Sequence, residues 1–146
     1  MRTVELVAPR TLEVVERPDP NPPAAGEVMV RLKAVGLCGS DLHWYQDGHI
    51  GHTEAQYPMI LGHEPVGEIV AVGDGVTTHK VGDHVAIEPS IVCGQCEFCL
   101  NGRPNNCVRC VFMGGMQAPG FFREYANVRR AMPSISRLNS TSSPLP

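Results

Sequence analysis

The sequence predicts a mainly β fold, a barrel or sandwich of short strands with few short helices. Three observations predict it. Glycine (15) and proline (13) are abundant in a chain of 146 residues, and both punctuate strands with turns. Aromatic residues are few, at 5%. Several short segments alternate apolar and polar side chains with the period of two that a half-buried strand requires. The length is that of about one domain and is enough to bury a core.

The elements follow in order. Residues 3–7 and 11–17 are rich in β-branched side chains and flank Pro9, so they read as a hairpin. Residues 18–27, "PDPNPPAAGE", are a loop by composition. In "EVMVRLKAVG", Val28, Val30, Leu32 and Ala34 alternate with Met29, Arg31 and Lys33, which predicts a strand with the first set inward. The one helix predicted spans 41–46, after the Cys38 turn. "VGEIVAVG" (66–73) is a further strand, followed by the Asp74-Gly75 turn signal. "VGDHVAIEP" (81–89) is another.

Charge and hydropathy exclude several classes. The net charge is −3 with both signs interspersed, so no nucleic-acid footprint appears. No apolar run reaches membrane-spanning length. The opening "MRTVELVAPRTLEV" lacks an apolar core of signal-peptide length. These features predict a cytoplasmic protein whose thiols stay reduced, which disfavours disulfides among the six cysteines.

"CGQCEFCLNGRPNNC" places Cys93, Cys96, Cys99 and Cys107 at gaps of two, two and seven residues. Such a quartet suits tetrahedral Zn²⁺, and Gly94 permits the tight turn of a first knuckle. A redox C-x-x-C would open a helix in a βαβ context, which is not visible. The seven-residue gap disfavours an iron–sulfur run. Cys110 makes a second quartet conceivable, with Cys96, Cys99 and Cys107. The first is preferred because of Gly94, leaving Cys110 as a small buried hydrophobe. Four sulfurs fill a zinc site, so this cluster would hold structure and leave the chemistry to other residues.

A second constellation lies upstream. "VGLCGSDLHWYQDG" carries Cys38, and "ILGHEP" carries His63 and Glu64. Both stretches sit beside glycines at strand ends, where loops display side chains. Cys, His and Glu give zinc three mixed ligands and leave a fourth position open, as catalytic sites do.

Taken in order, "GLCGSDLHWY", "LGHEPVGEIVAVG", "VGDHVAIEP" and the cysteine loop resemble the catalytic domain of the zinc-dependent medium-chain alcohol dehydrogenases, nearest to the sorbitol and polyol branch. The resemblance covers residues 1–128. It implies a GroES-like β-barrel with a structural-zinc loop at 93–107, held by Cys93, Cys96, Cys99 and Cys107. It implies a catalytic zinc on Cys38, His63 and Glu64, hence two zinc ions per chain. Asp41 would orient His63, Ser40 would begin a proton relay that His43 passes to solvent, and Tyr45 would line the substrate pocket. The implied reaction oxidises a small-molecule secondary alcohol or polyol to a ketone with NAD or NADP, and the full-length form would be a homo-oligomer. Each residue also has a plainer reading. Ser40 and Asp41 are good helix N-caps, His43 suits an exposed helix face, and Trp44 and Tyr45 suit a core. The alternatives at the level of function are a zinc-binding structural module, a nucleic-acid-binding zinc ribbon, or a scaffold.

Two departures stand out. No G-x-G-x-x-G follows a strand and opens a helix, so the cofactor domain is absent from this stretch and the chain is expected to be inactive alone. Residues 129–146 hold five serines, three arginines, three prolines and no acidic residue. A one-base loss near the Val128 codon accounts for this tail. Read from the third base, the codons allow the Leu-Pro-Ala-Glu-Leu-Asp-Phe run that the family carries. The tail is therefore expected to be out of frame and without designed structure, although a natural disordered tail has the same composition.

Overall fold

The computed structural model describes residues 1–129 and the backbone of 135–137. The chain begins with an antiparallel hairpin, β1 (Arg2–Ala8) and β2 (Thr11–Glu16). Then come β3 (Glu27–Gly36), helix α1 (Gly39–Gln46), the two-residue strands β4 (His49–Ile50) and β5 (Thr53–Glu54), and β6 (Glu64–Val72). After β7 (His84–Ile87), the pair β8 (Ser90–Ile91) and β9 (Val111–Phe112) brackets a loop holding α2 (Glu97–Leu100) and a 3-10 turn. β10 (Tyr125–Arg129) and β11 (Ile135–Arg137) end the described residues. The mainly β fold is as expected, and each strand read from alternation is present. The short pairs β4–β5 and β8–β9 were not anticipated, because two residues carry no period.

The main sheet is antiparallel, in the order β10-β3-β6-β7-β11. Its inner face is the larger core: Val28, Val30, Ile69, Val85, Ile87, Ala126 and Val128, closed by Met113 and Phe121. Burying each larger apolar side chain contributes about 1.5–3 kcal/mol. The expected alternation of β3 holds only through Leu32. A β-bulge follows, after which Ala34 is exposed and Val35 packs against the core in its place. A bulge shifts every later side chain to the opposite face.

A second cluster, Leu6, Trp44, Met59 and Leu61, joins the hairpin to α1 and to the segment before β6. β1 is stitched there by backbone bonds in both directions between Leu6 and Met59, at 2.8 and 3.0 Å. No helix among the described residues is long and apolar enough to cross a membrane. Most of the tail lies outside the described residues. The part inside them is paired: Arg129 ends β10 against β3, and β11 pairs with β7.

Glu5 is the charged side chain of the hairpin that faces inward. It is 5% exposed and takes two bonds of 2.8 Å from the Arg17 guanidinium. Those bonds, opposed by burial, hold its carboxyl below the ordinary value of 4.5. A depressed carboxyl stabilises the fold fully above its unfolded value, and the contribution is lost as pH falls through the folded one. Arg17→Ala should therefore lower stability at pH 7 by about 1–3 kcal/mol, because it strands a buried acceptor. In parallel denaturant titrations the gap from wild type should close as pH falls through the depressed folded value of Glu5, below which both chains carry it neutral. A gap that persists unchanged in acid argues against the ion pair as its source.

Candidate metal centre and cleft

The four cysteines of the 93–107 loop converge. Their sulfurs all lie within 4.8 Å of one another, with Cys93 to Cys99 at 3.9 Å and Cys96 to Cys99 at 3.5 Å. Gly94 makes the first knuckle with φ +68°, a left-handed turn that a side chain disfavours. The backbone N–H of Gln95 leads the effects that push the Cys93 thiol down to about 6, and that of Cys99 pushes Cys96 down. Burial, reinforced by the neighbouring sulfurs, pushes Cys99 up to about 12. Packed sulfurs oppose the build-up of negative charge, so the first proton leaves more easily than the last. Such an array fits a divalent ion, which would take the thiolate charge. Cys110 stands outside the quartet; burial raises its thiol, and its sulfur faces the Val111 carbonyl at 3.8 Å.

The second site is assembled from three elements. β3 ends at Gly36, and Cys38 occupies the N-cap of α1. Its thiol is pushed below its ordinary value chiefly by the Ser40 backbone N–H, then by the Ser40 hydroxyl and His63. Helix N-termini favour thiolates in this way. Asp41, 2% exposed, lies one turn on. One of its oxygens accepts the Cys38 N–H at 3.0 Å and the other the Gly62 N–H at 3.1 Å. The latter oxygen also lies 3.5 Å from His63 Nδ1. The loop before β6 is pinned from the far side as well. The N–H groups of Gly120, Phe121 and Phe122 reach the carbonyls of Ile60, Gly62 and Leu61 at 2.8–3.0 Å. Gly62 has φ +87°, and Phe122 lies where its side chain would be.

His63 is thus buried, with Nδ1 toward Asp41 and Nε2 3.3 Å from Ser40 Oγ. Nδ1 has no hydrogen-bond partner. A proton on that nitrogen, drawn to the carboxylate, leaves the Nε2 lone pair facing Ser40 and Cys38, the orientation a metal-binding imidazole needs. The donor atoms of Cys38, His63 and Glu64 all lie within 4.8 Å of one another. One borderline cation such as zinc fits this sulfur, nitrogen and oxygen set.

A cleft of about 250 Å³ opens beside it, walled by Ser40, Trp44, Ile50, Thr53, His63 and Phe112. The Phe112 ring lies 5.2 Å from the His63 ring, tilted by 56°. A larger hollow of about 350 Å³ shares the 115–117 turn. Its charged groups, Glu5 and Arg17, already satisfy each other, so the smaller cleft, beside the Cys38–His63–Glu64 donors, is the candidate for chemistry. His43 is exposed and bonded to Asp47 at 2.9 Å. Among the described residues no hydrogen bond joins it to Ser40. Tyr45, expected on the pocket, packs against the second core cluster, and its neighbour Trp44 lines the cleft. On a helix, successive side chains point about 100° apart, so one of an adjacent pair faces the cleft and the other does not. Phe112 was missed because its two-residue strand carries no signal of its own.

The alcohol dehydrogenase GroES-like domain matches residues 24–136. Sorbitol dehydrogenase of Bacillus subtilis is 45% identical over 119 residues, 82% of this chain and 33% of that protein. L-arabinitol 4-dehydrogenase of Aureobasidium melanogenum is 49% identical over 104 residues, 71% of this chain and 28% of that one. Among solved structures, galactitol-1-phosphate dehydrogenase of Escherichia coli superposes with a TM-score of 0.85 at 35% identity, covering 97% of this chain and 39% of its own. An E. coli CFT073 alcohol dehydrogenase complexed with NADH gives 0.83 at 37%, covering 98% and 40%. The chain belongs to the alcohol dehydrogenase family through its GroES-like domain, and it spans about a third of the length of these curated relatives.

The two clusters respond differently to substitution. Cys99→Ser should remove one metal equivalent and loosen the 93–107 loop, since structural metal binding is coupled to folding. Cys110→Ala should leave the metal content of purified protein unchanged. Loss of a metal in Cys110→Ala, by elemental analysis, would show the quartet to be misassigned.

Proposed function

We propose that these residues form the zinc-holding catalytic part of a nicotinamide-dependent dehydrogenase that oxidises a secondary alcohol or polyol to a ketone. The observation that carries this reading is the convergence of Cys38, His63 and Glu64 beside Ser40 on a partly apolar cleft. Relatives named as sorbitol and L-arabinitol dehydrogenases support the substrate class. Cys38, His63 and Glu64 hold the catalytic zinc, and the cysteine quartet holds a second, structural one. Bound zinc supplies Lewis acidity that lowers the pKa of the alcohol, and a nicotinamide supplies the hydride acceptor.

The chain's own groups do the rest. Ser40 Oγ, on the cleft wall, takes the hydroxyl proton of the substrate and releases its own. His43 is the exit to solvent; Asp47 fixes its ring through Nδ1, which leaves Nε2 to exchange the proton. A water or a ligand hydroxyl bridges Ser40 and His43. Trp44, Ile50 and Phe112 line the cleft with apolar surface. Asp41 fixes the tautomer of His63. Cysteines gathered as metal ligands suit a reducing, cytoplasmic setting. The 146 residues carry no dinucleotide fingerprint, so by themselves they should not hold a nicotinamide nucleotide tightly or turn over.

A metal count tests this reading. Protein purified with zinc should hold two ions per chain. His63→Ala should lose one and keep the other, with the fold retained in circular dichroism. One ion in the wild type points instead to a structural zinc module, and none to a scaffold.

A further inference from the structure

Gly36 lies in the last register position of β3, opposite Glu64 at the start of β6. Its φ is not in the left-handed region, so its backbone conformation does not explain why it is glycine. The space above it does. A Cβ built on Gly36 falls inside contact distance of the Glu64 carboxylate Oε2 and 3.1 Å from Glu64 Cβ. The Glu64 side chain is folded flat across the bare backbone of residue 36. In that position one oxygen of its carboxylate comes within 4.8 Å of the Cys38 and His63 donor atoms. Glycine inside a strand marks a close approach of this kind.

We propose that Gly36 is a positioning residue for the metal site: its missing side chain is the space through which Glu64 reaches the Cys38–His63 pair. The inference rests on the reading of Glu64 as a ligand. The obstacle a methyl group would present is mainly the far end of a flexible side chain, so the carboxylate is displaced while the strand at Glu64 Cβ has to give only slightly. Glu64 is exposed at that edge, and once displaced it has solvent to turn into. Cys38 and His63 keep their places, because Asp41 and the 120–122 segment hold them. The site is then left with sulfur and nitrogen donors and no carboxylate.

The test is a coupling cycle read through metal binding. Gly36→Ala, Glu64→Ala and the double variant are titrated with Co²⁺, whose visible spectrum reports ligand number at each site. Gly36→Ala should weaken the Cys38–His63–Glu64 site about 10–100-fold, the scale of lost supporting contacts around a ligand, and leave the cysteine quartet unchanged. Glu64→Ala should weaken it at least as much. Adding Gly36→Ala to Glu64→Ala should change nothing further, since the two residues act through one contact. Wild-type binding by Gly36→Ala, or an equal added loss in the Glu64→Ala background, overturns the proposal while Glu64 remains a ligand. Wild-type binding by Glu64→Ala overturns the ligand reading itself, and this inference with it. If Gly36→Ala does not fold, rescue of folding by Glu64→Ala supports the collision, and failure of rescue overturns it.

Discussion

The Asp41 carboxylate is the constraint on which the site depends. Each of its oxygens accepts one backbone N–H, from Cys38 on the helix cap and from Gly62 on the loop before β6. Those loops are more than twenty residues apart in sequence, and one buried carboxyl group holds them in register. A polar side chain at 2% exposure is costly unless its lone pairs are filled. Here the donors are backbone groups, which cannot rotate away as side chains do. The consequence for chemistry is direct. The acceptor that fixes the loops also faces His63 Nδ1, so the fold and the imidazole tautomer are set by one group.

The rest of the architecture keeps that carboxylate dry and its donors still. On one side, Trp44 of α1 packs with Leu6, Met59 and Leu61, sealing the helix onto the hairpin. On the other, three consecutive N–H groups of the 120–122 segment bond to the 60–62 backbone, and Gly114 and Gly120 approach that backbone where a side chain would collide. The cysteine loop is organised differently. Its donors lie within fifteen residues of one another, and backbone N–H groups of the same loop turn toward the sulfurs. It needs little from the sheet beyond an anchor at each end, which β8 and β9 supply.

This difference explains what the sequence made legible. The quartet could be read from spacing because its geometry is local: knuckle, turn and return are encoded in adjacent residues. Strands β3, β6 and β7 could be read from alternation because one face of each meets the core. Cys38, His63 and Glu64 stood out less by themselves than through the order of four motifs, and it took the fold to bring them together. Phe112, Thr53 and Ile50 carried no pattern, since strands of two residues have no period. Where Tyr45 packs could not be read without the helix phase, which the α1 packing against Met59 and Leu61 decides.

Least legible of all was the pairing of Gly36 with Glu64, because it depends on two irregularities that cancel. Between Met29 and Val30 the partner strand skips Val70; between Leu32 and Ala34, β3 skips Lys33. The first offset puts an extra residue on β6 and the second puts one on β3. Past both, the original register is restored, and Gly36 comes opposite Glu64. A sheet with one bulge and not the other would slide this end of β3 by one residue. Ala34 and Val35 would exchange faces, and a residue with a side chain would stand where Glu64 now lies. Lys33, the residue set aside at the second bulge, is used on the outer face. It joins Arg31 on the Glu68 carboxylate, at 3.1 and 2.7 Å. Exposed pairs of this kind contribute only about 0–1 kcal/mol, too little to impose the bulge. The force that imposes it is the core, which accepts Val35 and turns Ala34 out. The geometry of the candidate metal site is therefore set in part by apolar packing one strand residue away from it.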